Sequence, residues 1–150
     1  MLLSKNIYLA DDDRDDVEFF TLALEKICSK CSLDVSGNGE ELLHKLQAAA
    51  TLPDIIFIDV NMPRVDGLSA LEVIRKMPAL DSVPVIVCST SSNRISISRA
   101  HESGANYYFI KPVSFDSLKG HIKQLLEMDW EHYTIPDQLN QFILNASFSS

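Results

Sequence analysis

Five aspartates stand nearly side by side close to the start of the chain. Asp11, Asp12, Asp13, Asp15 and Asp16 follow the apolar run Ile7-Tyr8-Leu9-Ala10, with only Arg14 among them. Like charges this close repel, and the penalty grows when any of them is withdrawn from water, so the cluster calls for a cation. Three further residues with chemical potential each close a short apolar run: Asp59 after "PDIIFI", Ser89 after "VPVIVC" and Lys111 after "NYYFI". Carboxylates are hard oxygen ligands of the kind that suits Mg2+, which keeps several waters and is typically shared with phosphate. A lysine and a hydroxyl beside such a metal supply a second positive charge and a hydrogen-bond donor for phosphoryl oxygens. A carboxylate in the same place can then accept the phosphoryl group, forming an aspartyl phosphate.

For these residues to meet, the chain must bring the ends of several apolar runs to one edge. Ile7 to Ala10 is a continuous apolar run of the buried parallel-strand kind, and Val17, Phe20, Leu24 and Ile27 then recur at helical steps. "SLDVS" (32–36) is a weaker strand, followed by Leu42, Leu43 and Leu46 on a helix starting near Asn38. "PDIIFIDV" (53–60) is β-branched and aromatic, bounded by Pro53 and the turn-forming "NMPRVDG". A helix carrying Leu68, Leu71 and Ile74, the strand "VPVIVCS" (83–89) and a poorly periodic helix over 93–103 come next. The last pair is the strand "NYYFI" (106–110) and a helix marked by Phe115, Leu118, Ile122 and Leu125.

Five strands alternating with five helices require right-handed crossovers onto a parallel sheet covered on both faces. The expected fold is α/β and flavodoxin-like, a doubly wound five-stranded parallel sheet in the order 2-1-3-4-5, with sites at the carboxyl ends of the strands. Asp11 and Asp12, Asp59, Ser89 and Lys111 then all face one crevice.

With 150 residues, of which 46% are hydrophobic, the chain can bury one well-formed core. A net charge of −8 disfavours nucleic acid and anionic membranes as partners and favours a cation or a basic protein surface. No stretch approaches a spanning helix or a signal peptide, so a cytoplasmic protein is expected. Cys28-Ser29-Lys30-Cys31 is a C-x-x-C, but with Cys88 the only other cysteine a four-thiolate site is impossible. No histidine completes a mixed metal site at suitable spacing, so two thiols at a helix end are expected.

The motifs "ADDD" (10–13), "DVNMPRVDG" (59–67), "CSTSS" (88–92) and "GANYYFIKP" (104–112), in this order and spacing, make residues 4 to 127 resemble the receiver domain of bacterial two-component response regulators. The resemblance implies that Asp59 is the phosphoryl acceptor and Asp12 a direct ligand of Mg2+. Asp11 would bind the metal through water and Asn61 through its backbone carbonyl. Lys111 would pair with the acyl phosphate and precede a cis peptide bond to Pro112. Ser89 would hydrogen-bond the phosphoryl group with the Thr90 N–H beside it, although a shift of one residue would promote the Thr90 hydroxyl instead. Tyr108 matches the aromatic position that turns inward when that hydroxyl moves, changing the surface of helix 4, strand 5 and helix 5. Static packing of both Tyr107 and Tyr108 is the plain alternative. Asp13, Asp15 and Asp16 match no ligand of the family and read as ordinary acids at a helix N-terminus.

The implied partners are a sensor histidine kinase or histidine phosphotransfer protein and a downstream protein target, with no enzymatic activity beyond the chain's own phosphoryl transfer and dephosphorylation. A phosphorylation-independent scaffold and a haloacid-dehalogenase-like phosphatase are the rival readings. The second needs its nucleophile on the first strand in D-x-D-x-T/V, whose final residue is missing from Asp11-Asp12-Asp13-Arg14-Asp15.

The receiver is expected over 1–127. The remainder, 128–150, is too short for an output domain and reads as a C-terminal extension. It carries a short helix within 137–145 capped by Asp137 and a frayed end over Ser147–Ser150. Leu139, Phe142 and Ile143 on that helix must be covered, either by the domain itself or across a homodimer.

Overall fold

The periodic stretches fold into the alternating elements their patterns call for. The structure is a computed structural model and describes residues 4–144. In chain order it contains β1 (Asn6–Ala10), α1 (Arg14–Ile27), β2 (Ser32–Ser36), α2 (Gly39–Ala48), β3 (Ile55–Asp59) and α3 (Gly67–Ile74). These are followed by β4 (Val85–Ser89), α4 (Arg94–Glu102), β5 (Tyr107–Ile110), α5 (Phe115–Glu127), α6 (Leu139–Phe142) and β6 (Ile143–Leu144). The strands lie in the order β2-β1-β3-β4-β5-β6, and every pairing is parallel.

Strand alternation divides the core into two layers. Ile7, Leu9, Phe57, Ile86 and Phe109 point toward α1 and α5, where Phe20, Leu24, Leu118 and Ile122 meet them. Ile56, Ile58, Val87 and Tyr108 point the other way, against Leu42 of α2, Leu71 and Ile74 of α3 and Ile97 of α4. Helices α1 to α5 start on side-chain caps. Asp13 accepts from the N–H groups of Asp15 and Asp16, Asn38 from Glu41, Asp66 from Ser69, Asn93 from Ile95 and Ser114 from Ser117, each cap being worth about 1 kcal/mol. α4, whose Ile-Ser-Ile-Ser run is a poor helix former, is held by burial of Ile97 and Ala100. Here tertiary packing outweighs weak propensity.

Four expectations are corrected. The sheet has six strands rather than five, because Ile143 and Leu144 pair with Tyr108 and Phe109 along the outer edge of β5. A two-residue strand is too short to show a period, so its apolar residues resembled a helix face; its effect is to cover a sheet edge that would otherwise present unpaired backbone groups. The short helix expected within 137–145 is the single turn Leu139–Phe142, and the residue before it is Gln138, not a capping Asp137. Cys28 and Cys31 form a disulfide instead of remaining thiols. Cys28 ends α1 and Cys31 precedes β2, so the turn between them brings their Cα atoms to 5.5 Å, within bridging range. The Lys111-Pro112 bond is trans, as are the other peptide bonds among the described residues. Trans is favoured by about 0.5–1 kcal/mol before proline. The end expected to fray, Ser147–Ser150, lies outside the described residues.

The C-terminal extension is docked on the domain. Phe142 and Leu144 are fully buried, and Ile135, Leu139 and Ile143 pack on the same core layer as Tyr108. Trp130 donates from Nε1 to the Leu125 carbonyl at 2.9 Å, and the Tyr133 hydroxyl donates to the Asn106 carbonyl at 2.9 Å. His101 of α4 lies 2.7 Å from the Pro136 carbonyl through Nε2 and meets Phe142 edge to face. No helix among the described residues is long and apolar enough to cross a membrane.

Candidate functional site

The two-layer alternation also sorts the site residues. Carried one step past β1 and β5, the parity of Ile7, Leu9 and Phe109 takes Asp11 and Lys111 to the α1/α5 side, where Asp59 follows Phe57. Ser89 follows Val87 to the other side, the side of Tyr108. The carboxyl ends of the strands are pinned by further main-chain bonds. Asp11 N–H donates to Ser36 O at 3.0 Å, Val60 N–H to Cys88 O at 3.1 Å and Lys111 N–H to Ser89 O at 2.9 Å. Gly67 donates to Val60 O at 3.1 Å, and a side chain there would run into the Asp59 carbonyl. Only glycine allows α3 to start this close to the end of β3.

Lys111 is the hub. Its Nζ lies 3.0 Å from Asp11 Oδ2, 3.2 Å from Asp59 Oδ1 and 2.9 Å from Asp16 Oδ2. Asp11 and Asp59 are buried, whereas Asp12 is exposed at the rim. One carboxylate oxygen from each of Asp11, Asp12 and Asp59 falls within 4.8 Å of the other two. Asp11 is steadied from its other oxygen, which accepts the Asp13 N–H at 2.9 Å.

The electrostatics follow from burial. Desolvation, helped by the charges of Asp11 and Asp12, raises the Asp59 carboxyl to about 6 against the pull of Lys111. Burial likewise raises Asp11 against the opposing Asp13 N–H and Lys111. Burial alone would lower the Lys111 ammonium. The hydrogen bond to Asp16 and the charges of Asp11 and Asp59 outweigh it and hold the group above the ordinary lysine range. Carboxylates with raised pKa values around one lysine are short of positive charge, so three oxygens at this spacing fit a divalent cation.

On the opposite layer Ser89 ends β4 and is buried, while Thr90 is exposed. The Ser89 Oγ accepts the Ser91 N–H at 3.0 Å, and the Ser91 carbonyl accepts the Tyr108 hydroxyl at 2.9 Å. Tyr107 points into the other layer, stacked on Tyr133, as strand alternation requires. Asn61 lies exposed two residues beyond Asp59, beside the cleft it shares with Asp66 and Arg99.

Asp16 was missed as part of this group. It stands four residues before the buried Phe20 and eight before the buried Leu24. That spacing puts it on the inward stripe of α1, a signal the run of like charges obscured.

The model of the response regulator receiver domain family matches residues 7–123. The chain belongs to this family. The receiver is 33% identical over 111 residues to Protein PilG of Pseudomonas aeruginosa, covering 73% of this chain and 81% of that one. It is 28% identical over 125 residues to the probable methanogenesis regulatory protein FilR2 of Methanothrix harundinacea, covering 81% of each chain. Among solved structures, the phosphorylated cyanobacterial phytochrome response regulator RcpA is similar with a TM-score of 0.78 at 28% identity, over 90% of this chain and 100% of that one. The Mn(2+)-bound form of response regulator Rcp1 is similar with a TM-score of 0.73 at 26% identity, over 88% of this chain and 99% of that one. The receiver is thus a component of two-component signalling, with a flavodoxin-like sheet and an acidic pocket at its carboxyl edge.

Proposed function

We propose that this receiver is a phosphoacceptor that takes a phosphoryl group on Asp59 in a Mg2+-dependent reaction. The donor is a sensor histidine kinase or a histidine phosphotransfer protein. The observation that carries the reading is the Lys111 ammonium 3.2 Å from the buried Asp59 carboxylate, which shares with Asp11 and Asp12 a cluster of oxygens within 4.8 Å of one another. Asp12 and Asp59 would hold the metal directly, Asp11 through water and Asn61 through its carbonyl. Bound there, the cation offsets the charge that concentrates as phosphate meets carboxylate.

The chain's own residues do the rest by position. Asp59 ends a strand buried on both faces, so its oxygen is presented rigidly for in-line attack. Lys111 neutralises a phosphoryl oxygen, Ser89 turns its hydroxyl to another, and the Thr90 N–H lies beside it. No reaction beyond the receiver's own phosphorylation and dephosphorylation is required.

The response runs through Ser89 to Tyr108 and so to the surface of α4, β5 and α5, which a downstream protein reads in the cytoplasm. In this chain α6 and β6 sit on that surface, so the tail is part of what the switch moves. A scaffold indifferent to phosphate is the second reading; the lysine-centred charge cluster disfavours it, since a scaffold has no use for buried like charges. Incubation with acetyl phosphate and Mg2+, followed by peptide mapping, tests the proposal: label on Asp59 supports it, and no label in the intact chain supports the scaffold.

A further inference from the structure

Three carboxylates surround the Lys111 ammonium: Asp11 and Asp16 accept hydrogen bonds from it, and Asp59 is ion-paired with it at 3.2 Å. Two of the three have other duties. Asp11 and Asp59 belong to the carboxylate trio that fits a divalent cation, and Asp59 is in addition the proposed acceptor. Asp16 lies outside that trio. Its 2.9 Å bond to Nζ is as short as either of the others, and its backbone is fixed because Asp13 Oδ1 accepts both the Asp15 N–H at 2.9 Å and the Asp16 N–H at 3.1 Å. Its side chain is partly open to water, at 41% exposure against 4% for Asp11 and 9% for Asp59, so it can carry a charge beside the site at little desolvation cost.

A cation entering the site draws on the Asp11 and Asp59 carboxylates that also hold the lysine, and it repels the ammonium. Held by those two alone, Lys111 would be loosened when the metal arrives, which is when it is needed. We infer that Asp16 is a positioning residue for phosphoryl transfer, anchoring the Lys111 ammonium beside Asp59 through a bond for which neither the metal nor the phosphoryl group competes. The inference rests on Asp59 being the acceptor. In the transfer an Asp59 carboxylate oxygen attacks phosphorus, the bond from phosphorus to the donor's leaving group breaks, and the leaving group departs with the electron pair. Lys111 stays protonated throughout. As the Asp59 charge is used in the new bond, the ion pairing of Lys111 passes from Asp59 to a phosphoryl oxygen while its N–H to Asp16 stays in place. Partly exposed ion pairs contribute little to folding stability, so the effect belongs to the rate.

The test uses the full chain with acetyl phosphate and Mg2+, comparing labelling rates and melting temperatures of wild type, Asp16→Asn, Asp16→Glu and Asp15→Asn, together with Lys111→Ala and the Asp16→Asn/Lys111→Ala double variant. Asp16→Asn should slow labelling about tenfold, within the roughly hundredfold that a 1 Å misplacement of a catalytic group can cost. Asp16→Glu should recover much of the rate, and Asp15→Asn should label like wild type. In the Lys111→Ala background, Asp16→Asn should cause no further loss, the non-additivity of residues that act as a unit. A wild-type rate in Asp16→Asn would overturn the inference. So would an equal loss with and without Lys111, or a loss that merely follows a lowered melting temperature. If the wild type takes no label on Asp59, the acceptor reading itself fails and the inference falls with it; that result is visible without any Asp16 variant.

Discussion

The Tyr108 hydroxyl is hydrogen-bonded to the Ser91 carbonyl at 2.9 Å, and the Ser91 N–H is in turn bonded to the Ser89 Oγ at 3.0 Å. Ser89 cannot swing toward a phosphoryl group without giving up Ser91, and Ser91 cannot shift without disturbing Tyr108, whose backbone pairs with Ile143 of the tail. The connection is a chain of two hydrogen bonds whose rearrangement both ends would feel.

Ser89→Ala should therefore leave Asp59 able to accept phosphate while uncoupling the response. Hydrogen exchange at the amides of α4, β5 and β6, followed with and without acetyl phosphate, reads this directly. The wild type should change protection there on phosphorylation, and Ser89→Ala should change little. An unaltered response in Ser89→Ala would move the switch to another group, with Thr90 next in line.

Burial raises Asp59 to about 6 from an ordinary 3.8. The folded state thus binds this proton more tightly than the unfolded chain does. Its stabilising contribution is full below the ordinary value and is lost as pH rises through the folded one. Without divalent cation, Asp59→Asn should be more stable than wild type near pH 8 by roughly 1–2 kcal/mol, an advantage that shrinks as pH falls through about 6 toward 3.8. Urea unfolding in a chelator across that range checks it. A variant less stable than wild type near pH 8 would show that the Lys111 bond outweighs desolvation.

Millimolar Mg2+ should raise the melting temperature, because a ligand of the folded state alone stabilises it by mass action. Asp12, exposed at the rim and within the carboxylate trio, is the residue to remove. Asp12→Asn should abolish most of the shift, whereas equal stabilisation of both proteins would place the metal elsewhere.

Phe142 is fully buried against the layer that holds Tyr108. Phe142→Ala should cost the docked tail about 3 kcal/mol, in the range for emptying a buried aromatic site. Truncation after Met128 should lower the melting temperature and expose β5. Unchanged melting in both would mean that the tail adds nothing to the fold.

The strand ends were legible in the sequence because β-branched and aromatic runs broke off at Asp11, Asp59, Ser89 and Lys111, and a parallel sheet must bring such ends together. Asp16 was not legible as a lysine partner, since one acid among five clustered aspartates carries no sign of which way it faces until Phe20 and Leu24 fix the stripe. Arg75 was hidden for the opposite reason. It donates to the carbonyls of Gly104, Leu80 and Val83 and to Asn106 Oδ1, tying the amino ends of β4 and β5 to α3. A partly buried arginine satisfied by carbonyls leaves no charge partner in the sequence to point to it. The pairing of β6 depends on two residues meeting an edge that only the folded sheet creates.

Phosphoryl mapping after acetyl phosphate treatment with Mg2+, in wild type and Asp59→Asn side by side, decides whether Asp59 is the acceptor. The wild type should carry one phosphoryl group on Asp59, labile to alkali and to hydroxylamine as an acyl phosphate is. Asp59→Asn should carry none, and Lys111→Ala should keep the acceptor but label more slowly. Labelling of Asp59→Asn at the wild-type level, with the phosphate found on Asp12 or a serine, would contradict the account.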